Sequence, residues 1–96
     1  MSRVYYTHDA EHDIEKIAEY TIAQWGEKQC AEYLELLEQT CEVIIPQNVR
    51  HGRTVPQRPQ LRRWRCERHV VYFRRVRGGI EIVRILHERM LPQNHL

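Results

Sequence analysis

The chain has 96 residues, a formal net charge of +2 and hydrophobic residues at 42% of its positions. This length suits a single domain over residues 1–96 and is too short for two independent cores. No apolar run approaches the roughly 18 residues of a membrane-spanning helix, and the first residues, MSRVY, lack the apolar stretch of a signal peptide. We therefore expect a cytoplasmic protein that does not enter a membrane.

The cysteines and histidines do not follow a metal-binding pattern. Cys30, Cys41 and Cys66 contain no CxxC pair and are interpreted as small apolar residues of a reduced protein. His8 and His12 are four residues apart on a predicted helix, which is more typical of two exposed polar residues than of a zinc site. A metal site is therefore not expected.

Charge divides the chain into an acidic and a basic half. Residues 1–48 carry ten acidic and three basic side chains, a formal charge of −7. Residues 49–96 carry twelve arginines, no lysine and three glutamates, a formal charge of +9. The arginine-rich half indicates an acidic partner, either nucleic acid or an acidic protein segment. The alternative is that some of these arginines only pair with the acidic helices of the same chain.

A strand and an amphipathic helix are predicted first. Residues 3–7 form a short apolar and aromatic run that ends at Thr7–Asp9, residues suited to capping a helix. From Ala10 the apolar residues recur every three or four positions until Gly26, a good residue to end a helix. The apolar positions are Ile14, Ile17, Ala18, Thr21 or Ile22, and Trp25.

A second helix follows almost at once. Its apolar stripe begins at Cys30 and reaches Ile45, and Pro46 is predicted to stop it. Because only a few residues around Gly26 link the two helices, an antiparallel helix hairpin is expected. Residues 46–60 contain three prolines and little periodicity, which predicts a surface loop.

The remainder predicts three strands, at residues 61–66, 69–76 and 80–87. Gly78-Gly79 predicts a two-residue type I′ hairpin turn. Pairing outward from that turn sets Phe73 opposite Arg84 and places Tyr72, Arg74 and His87 together on one face. The expected fold class is α+β: an N-terminal strand and an antiparallel helix hairpin packed on a small, mostly antiparallel C-terminal sheet.

Motifs for nucleotide hydrolysis, dinucleotide binding, zincin proteolysis and α/β-hydrolase chemistry are missing from the sequence. A ribonuclease without such a motif needs a base, cations for the phosphate and an acid for the leaving group. Tyr72, Arg74 and His87, with His69 and Arg89 nearby, could supply these groups. The ordinary alternative is a half-buried tyrosine, a solvated arginine and a polar residue at a strand end.

The order of strand, helix, helix, loop and three strands resembles the RelE/ParE superfamily of bacterial toxins, and specifically its ParE branch. Three stretches carry the resemblance: DAEHDIEKIAEYTIAQWGEKQCAEYLELLE, RHVVYFRRVRGGIEIVRILHERM and the closing PQNHL. The resemblance covers essentially the whole chain and is weakest over residues 46–60.

This resemblance implies a non-enzymatic toxin that poisons DNA gyrase and is neutralised by a co-expressed ParD-type antitoxin, without a cofactor or metal. It implies target-binding residues in the last strand and the tail, namely Arg84, His87, Arg89, Met90 and His95. Antitoxin binding is expected at the arginine-rich and aromatic residues Trp64, Arg65, Phe73 and Arg75. Trp64 is equally compatible with a core position.

The alternative is a RelE-like, ribosome-dependent mRNA endonuclease. The RelE branch uses lysine, arginine and a tyrosine near the C-terminus, whereas residues 90–96 contain no tyrosine and the basic half contains no lysine. A nucleic-acid-binding module is supported only by the number of arginines, so direct nucleic-acid binding is not expected.

Overall fold

A computed structural model describes residues 3–96 as a five-stranded sheet with a helix hairpin on one face. The sheet order is β1-β5-β4-β3-β2, with β1 parallel to β5 and every other pair antiparallel. The predicted α+β fold is confirmed. The elements are β1 (Arg3–Tyr6), α1 (His8–Trp25), α2 (Glu27–Gln39), α3 (Ile45–Gln47), β2 (Arg53–Val55), β3 (Arg58–Cys66), β4 (His69–Val76) and β5 (Gly79–His87). Within residues 3–96, no helix is long and apolar enough to cross a membrane.

Thr7 connects the first strand, the first helix and the last strand. Its hydroxyl accepts a hydrogen bond from the Ala10 N–H at 3.0 Å, which caps α1 as predicted. The same hydroxyl donates to the Val83 carbonyl at 2.7 Å, and the Thr7 N–H donates to the Ile82 carbonyl at 3.0 Å. These contacts fix the start of α1 at the edge of β5, where the parallel β1 ends.

The first helix buries a narrower stripe than its sequence predicts. Ala10, Asp13, Ile17 and Thr21 are buried, and Gly26 ends the helix as expected. The prediction for Trp25 is wrong, because its side chain is 55% exposed. The last turn of α1 lies at the end of the helix hairpin, where a cavity replaces close packing.

The second helical segment continues past the predicted stop at Pro46. A π-helical turn, Thr40–Ile44, follows α2 and leads into the single turn of α3, which contains Pro46. The wider turn leaves room for the proline ring beside the carbonyl four residues earlier. The Asn48 side chain then donates to the Ile44 carbonyl at 2.8 Å and closes the helix end.

The predicted loop over residues 46–60 is wrong in its second half, because the segment contains β2 and the start of β3. Strand β2 has three residues and pairs only with β3, so it forms an edge of the sheet. Pro56 lies in the β2–β3 turn, and Pro59 lies at the start of β3, before the residues that pair with β4, so neither removes a hydrogen bond to that strand. The prolines at 56 and 59 therefore hide a strand pair rather than mark a loop.

The β4–β5 turn lies one residue earlier than predicted. Val76 pairs with Gly79, so the turn residues are Arg77 and Gly78, and only Gly78 has a positive φ, at 85°. The turn is therefore not of type I′. Gly79 serves another purpose, since a Cβ atom there would lie 1.9 Å from the Arg3 carbonyl oxygen of β1.

A bulge at Val83 changes which residues of β5 face the helices. Phe73 pairs with Ile82 and Tyr72 with Arg84, so Val83 is an extra residue in β5. The predicted pairing of Phe73 with Arg84 is wrong because the earlier turn, with Val76 opposite Gly79, already sets Phe73 opposite Ile82. The core beneath the helices contains Ala10, Ile17, Leu37, Cys41, Ile45, Cys66, Val71, Phe73, Ile80, Ile82 and Ile85. A second buried cluster on the other face contains Val55, Leu61, Tyr72 and Leu86.

Candidate functional site

Asp13 of α1 and Arg84 of β5 form a bidentate ion pair between the helices and the sheet. The Arg84 guanidinium donates from Nε and Nη2 to the two carboxylate oxygens of Asp13, at 2.8 and 2.9 Å. The Ile85 N–H donates to the same carboxylate at 2.9 Å. The Arg84 side chain is only 20% exposed and the Asp13 side chain only 10%. The hydrogen bond to Asp13 is the main cause that raises the pKa of Arg84.

The position of Asp13 follows from the short length of β1. Strand β1 pairs with β5 only as far as Ile82, so the edge of β5 beyond that residue has no neighbouring strand. Thr7 and Asp13 satisfy the polar backbone groups there, at Val83 and Ile85. A sequence signal for Asp13 exists, because it lies in phase with the buried Ala10, Ile17 and Thr21 of α1.

The C-terminal segment, residues 88–96, is held close to β5 by hydrogen bonds. Arg84 Nη1 donates to the His95 carbonyl at 2.9 Å, and the Met90 N–H donates to the His87 carbonyl at 2.9 Å. The Arg89 N–H donates to His87 Nδ1 at 3.2 Å. Hydrogen bonds thus connect Arg84 with His95, and His87 with Arg89 and Met90. Their roles differ, because Arg84 is occupied within the fold whereas Arg89, Met90 and His95 are exposed.

A cavity of about 380 Å³ opens at the end of the helix hairpin, where its wall includes an aromatic cluster that sequence reasoning missed. The Tyr33 hydroxyl and His69 Nδ1 are 2.6 Å apart, and the His69 and His87 rings meet edge to face at 5.3 Å. Burial, then the neighbouring His87, lowers the pKa of His69 to about 4, while burial raises the pKa of Tyr33 to about 12. The exposed rim is formed by Tyr20, Trp25 and Leu36.

The predicted ribonuclease set is not assembled. Tyr72 is 2% exposed within the second buried cluster, whereas His87 contacts His69 on the helix side of the sheet. Arg74 is exposed and forms an ion pair with Glu81 at 2.9 Å. The expectation that Tyr72, Arg74 and His87 share one face is wrong, because the bulge in β5 changes the face of the residues that follow it.

The predicted antitoxin-binding residues divide into buried and exposed members. Phe73 is completely buried beneath the helices, so its prediction as a surface contact is wrong. Trp64 is half-buried against the same core, and Arg65 is exposed and forms an ion pair with Glu88. Arg75 is exposed at the mouth of a second cavity. No group of three potential metal ligands occurs among residues 3–96.

A known protein family matches the sequence over most of its length. A sequence profile described as "ParE toxin of type II toxin-antitoxin system, parDE" matches residues 4–92. The chain belongs to the ParE toxin family. The resemblance predicted from the three sequence stretches is therefore confirmed, and the profile also covers residues 46–60, where the resemblance is weakest.

Similar ParE proteins come from distant bacteria. The chain is 33% identical to Toxin ParE1 of Caulobacter vibrioides over 91% of this chain and 90% of that protein. It is 34% identical to Toxin ParE of Escherichia coli over 94% of this chain and 88% of that protein. A solved structure of the chromosomal ParDE TA system from P. aeruginosa has the same fold, with a TM-score of 0.70 at 19% identity, covering 91% of this chain and 96% of that one.

Proposed function

We propose that this ParE-family toxin inhibits DNA gyrase by binding it, without catalysing a reaction, and that a ParD-type antitoxin neutralises it. The observation that carries the proposal is membership of the ParE family over residues 4–92. The separation of Tyr72 from His87 on opposite faces of the sheet favours this proposal over the mRNA endonuclease.

The exposed part of the C-terminal segment is the proposed contact with gyrase. Met90 and Leu91 are 46% and 55% exposed, and Arg89 beside them is also exposed. Exposed apolar side chains next to arginine are typical of protein interfaces. His87 and His95 belong to the same proposed contact, and Arg84 supports the segment by donating to the His95 carbonyl.

The antitoxin is proposed to cover the arginine-rich edge of the sheet. The ParDE system of the similar P. aeruginosa structure supports a ParD-type partner. Trp64 and Arg65 lie near this edge on β3, and Arg75 lies further in, on β4. Together they suit an antitoxin segment that carries both apolar and acidic side chains. Arginines at such an interface speed association and fix the register of the bound segment.

Expression of the chain in bacterial cells tests the proposal. Growth should stop, a reporter plasmid should lose negative supercoiling and transcripts should stay intact, and co-expression of a ParD-type antitoxin should restore growth. Cleaved transcripts with normal plasmid supercoiling would contradict gyrase inhibition and support the endonuclease instead. Met90→Ala and Leu91→Ala should weaken toxicity, whereas Ile22→Ala, an equally exposed apolar position on α1, should not.

A further inference from the structure

The cavity of about 380 Å³ at the end of the helix hairpin, which we call the helix-end cavity, lies between α1, α2 and the turn that joins β3 to β4. The more buried polar side chains of its wall already have partners. The Thr21 hydroxyl donates to the Ile17 carbonyl at 2.7 Å, and the Tyr33 hydroxyl and His69 Nδ1 are 2.6 Å apart. A ligand of this cavity would therefore be recognised by the more exposed groups of the wall.

Three large apolar side chains surround the opening of the helix-end cavity. Tyr20, Trp25 and Leu36 are 64%, 55% and 38% exposed, and all three line the same cavity. Grouped aromatic side chains are typical of protein interfaces, and their ring faces attract cations. A small cation inside the cavity would leave this rim in water, whereas a protein segment would cover it. The rim therefore favours a protein segment as the ligand.

The charges around the helix-end cavity favour a cation. Glu32 of α2 and Glu67 of the β3–β4 turn line it, and neither forms an ion pair within the part of the chain that the structure describes. Arg68 also lines the wall, whereas His69 is uncharged at pH 7 because burial lowers its pKa to about 4. Residues 8–39, which include α1 and α2, carry nine acidic side chains and two lysines, a formal charge of −7. This field attracts a basic partner.

Glu67 has a backbone conformation that suits glycine better than glutamate. Its φ is 53°, and it is the first of the two residues between β3 and β4. Glycine is preferred at such a turn position because a Cβ atom disfavours the left-handed conformation. The turn thus retains a carboxylate at the cavity in place of the residue that its backbone favours.

We propose that the helix-end cavity binds an arginine of a basic protein segment, whose positive charge is balanced by Glu32 and Glu67. Trp25 contributes a cation–π contact, and apolar neighbours of the arginine cover Tyr20 and Leu36. Arginine suits this site better than lysine, because a planar guanidinium can stack on an aromatic ring while its edge donates to a carboxylate. The surface is opposite in charge to the arginine-rich edge proposed for the antitoxin. The inference concerns the isolated chain and does not depend on gyrase inhibition.

Fluorescence anisotropy of a labelled nine-residue peptide, with one arginine between two leucines and otherwise glycine and serine, tests the proposal with the full chain. The same peptide with citrulline, the neutral isostere of arginine, should bind at least tenfold more weakly. Arginine amide, as a competitor without the leucines, should also bind at least tenfold more weakly than the arginine peptide, because it leaves the apolar rim uncovered.

Substitutions of the carboxylates test the charge of the site. Glu32→Gln with Glu67→Gln should weaken binding of the arginine peptide at least tenfold. Glu19→Gln with Glu35→Gln removes the same charge from exposed positions outside the cavity and should bind like the unchanged protein. Arg68→Gln should bind at least as tightly as the unchanged protein, because it removes a competing cation from the wall.

Two further substitutions separate binding from folding. Glu67→Gly should keep or raise the melting temperature, because glycine adopts a φ of 53° more readily, and should still weaken binding of the peptide. Trp25→Ala should weaken binding at least tenfold, whereas Ile22→Ala, at an exposed position outside the cavity, should not.

Several results would overturn the proposal. Equal binding of the citrulline peptide would show that charge is not recognised, and equal loss of affinity in the Glu19 and Glu35 variant would show that the cavity is not the site. Equally tight binding of arginine amide would assign the cavity to a small cation. A lower melting temperature of Glu67→Gly would show that this side chain serves the fold.

Discussion

Removing either partner of the Asp13–Arg84 pair should strongly destabilise the fold. Asp13→Ala removes the acceptor of three hydrogen bonds and leaves the Arg84 guanidinium and the Ile85 N–H without it. Breaking a buried pair in this way costs about 3–5 kcal/mol. Arg84→Ala leaves the largely buried Asp13 carboxylate with one donor. Because Arg84 is 20% exposed, water can replace part of the lost contact, and the free energy of unfolding should fall by about 2–4 kcal/mol.

A double-mutant cycle separates this contact from other effects of the two substitutions. If both losses come from the same pair, the double variant should be about 1.5–3 kcal/mol more stable than the sum of the single losses predicts. For a chain of 96 residues, 1 kcal/mol corresponds to about 5 °C in melting temperature, so Asp13→Ala should lower it by about 15–25 °C. Urea denaturation and thermal melting followed by circular dichroism measure both quantities.

Arg74 and Glu81 provide the matched control, because they form an ion pair at 2.9 Å with side chains that are 45% and 24% exposed. Their coupling should stay below about 1 kcal/mol. A coupling for Asp13 and Arg84 no larger than that of the control would refute the reasoning from burial. The result also matters for toxicity, since loss of activity in an Arg84 variant would reflect folding rather than target binding.

Three further predictions concern burial. Phe73→Ala should lower the free energy of unfolding, measured by urea denaturation, by about 3–5 kcal/mol because Phe73 is buried. Arg75→Ala should leave that free energy within about 0.5 kcal/mol and should weaken antitoxin binding measured by calorimetry. Equal stability of the two variants would contradict the assigned burial. Because burial lowers the pKa of His69 from 6.5 to about 4, the unfolded chain binds more protons between these values, and stability should fall as pH falls through that range, by up to about 3 kcal/mol. His69→Gln should reduce the difference in stability between pH 7 and pH 4.5, measured by denaturation curves. An unchanged difference would show that other groups cause the pH dependence. Burial raises the pKa of Cys41 to about 12, so its thiol should react with a disulfide reagent only after unfolding, and rapid labelling of the native protein would show that it is accessible.

The sequence predicts the helices and strands well because their hydrophobic periods are regular. The helix stripes over residues 10–25 and 30–45 and the pattern of β4 predict the layer architecture, which the structure confirms except at the exposed Trp25. The strand β2 escapes prediction because its three residues lie beside prolines and are stabilised by pairing with β3 rather than by their own pattern.

The candidate site is less predictable because it depends on register. One extra residue, Val83, changes the face on which His87 lies and separates it from Tyr72, and sequence alternation cannot reveal a bulge. Burial of Phe73 depends instead on which face of the sheet the helices cover, which strand alternation alone does not predict. Asp13 could be found in advance as an acidic residue within an apolar stripe.

Supercoiling of relaxed plasmid by purified gyrase tests the central claim most directly, with the folded chain added alone and together with a ParD-type antitoxin. Gyrase inhibition predicts that the chain alone blocks supercoiling, that the antitoxin restores it and that Leu91→Ala weakens the block while Ile22→Ala does not. Normal supercoiling in the presence of folded chain that still arrests growth in cells would contradict the claim.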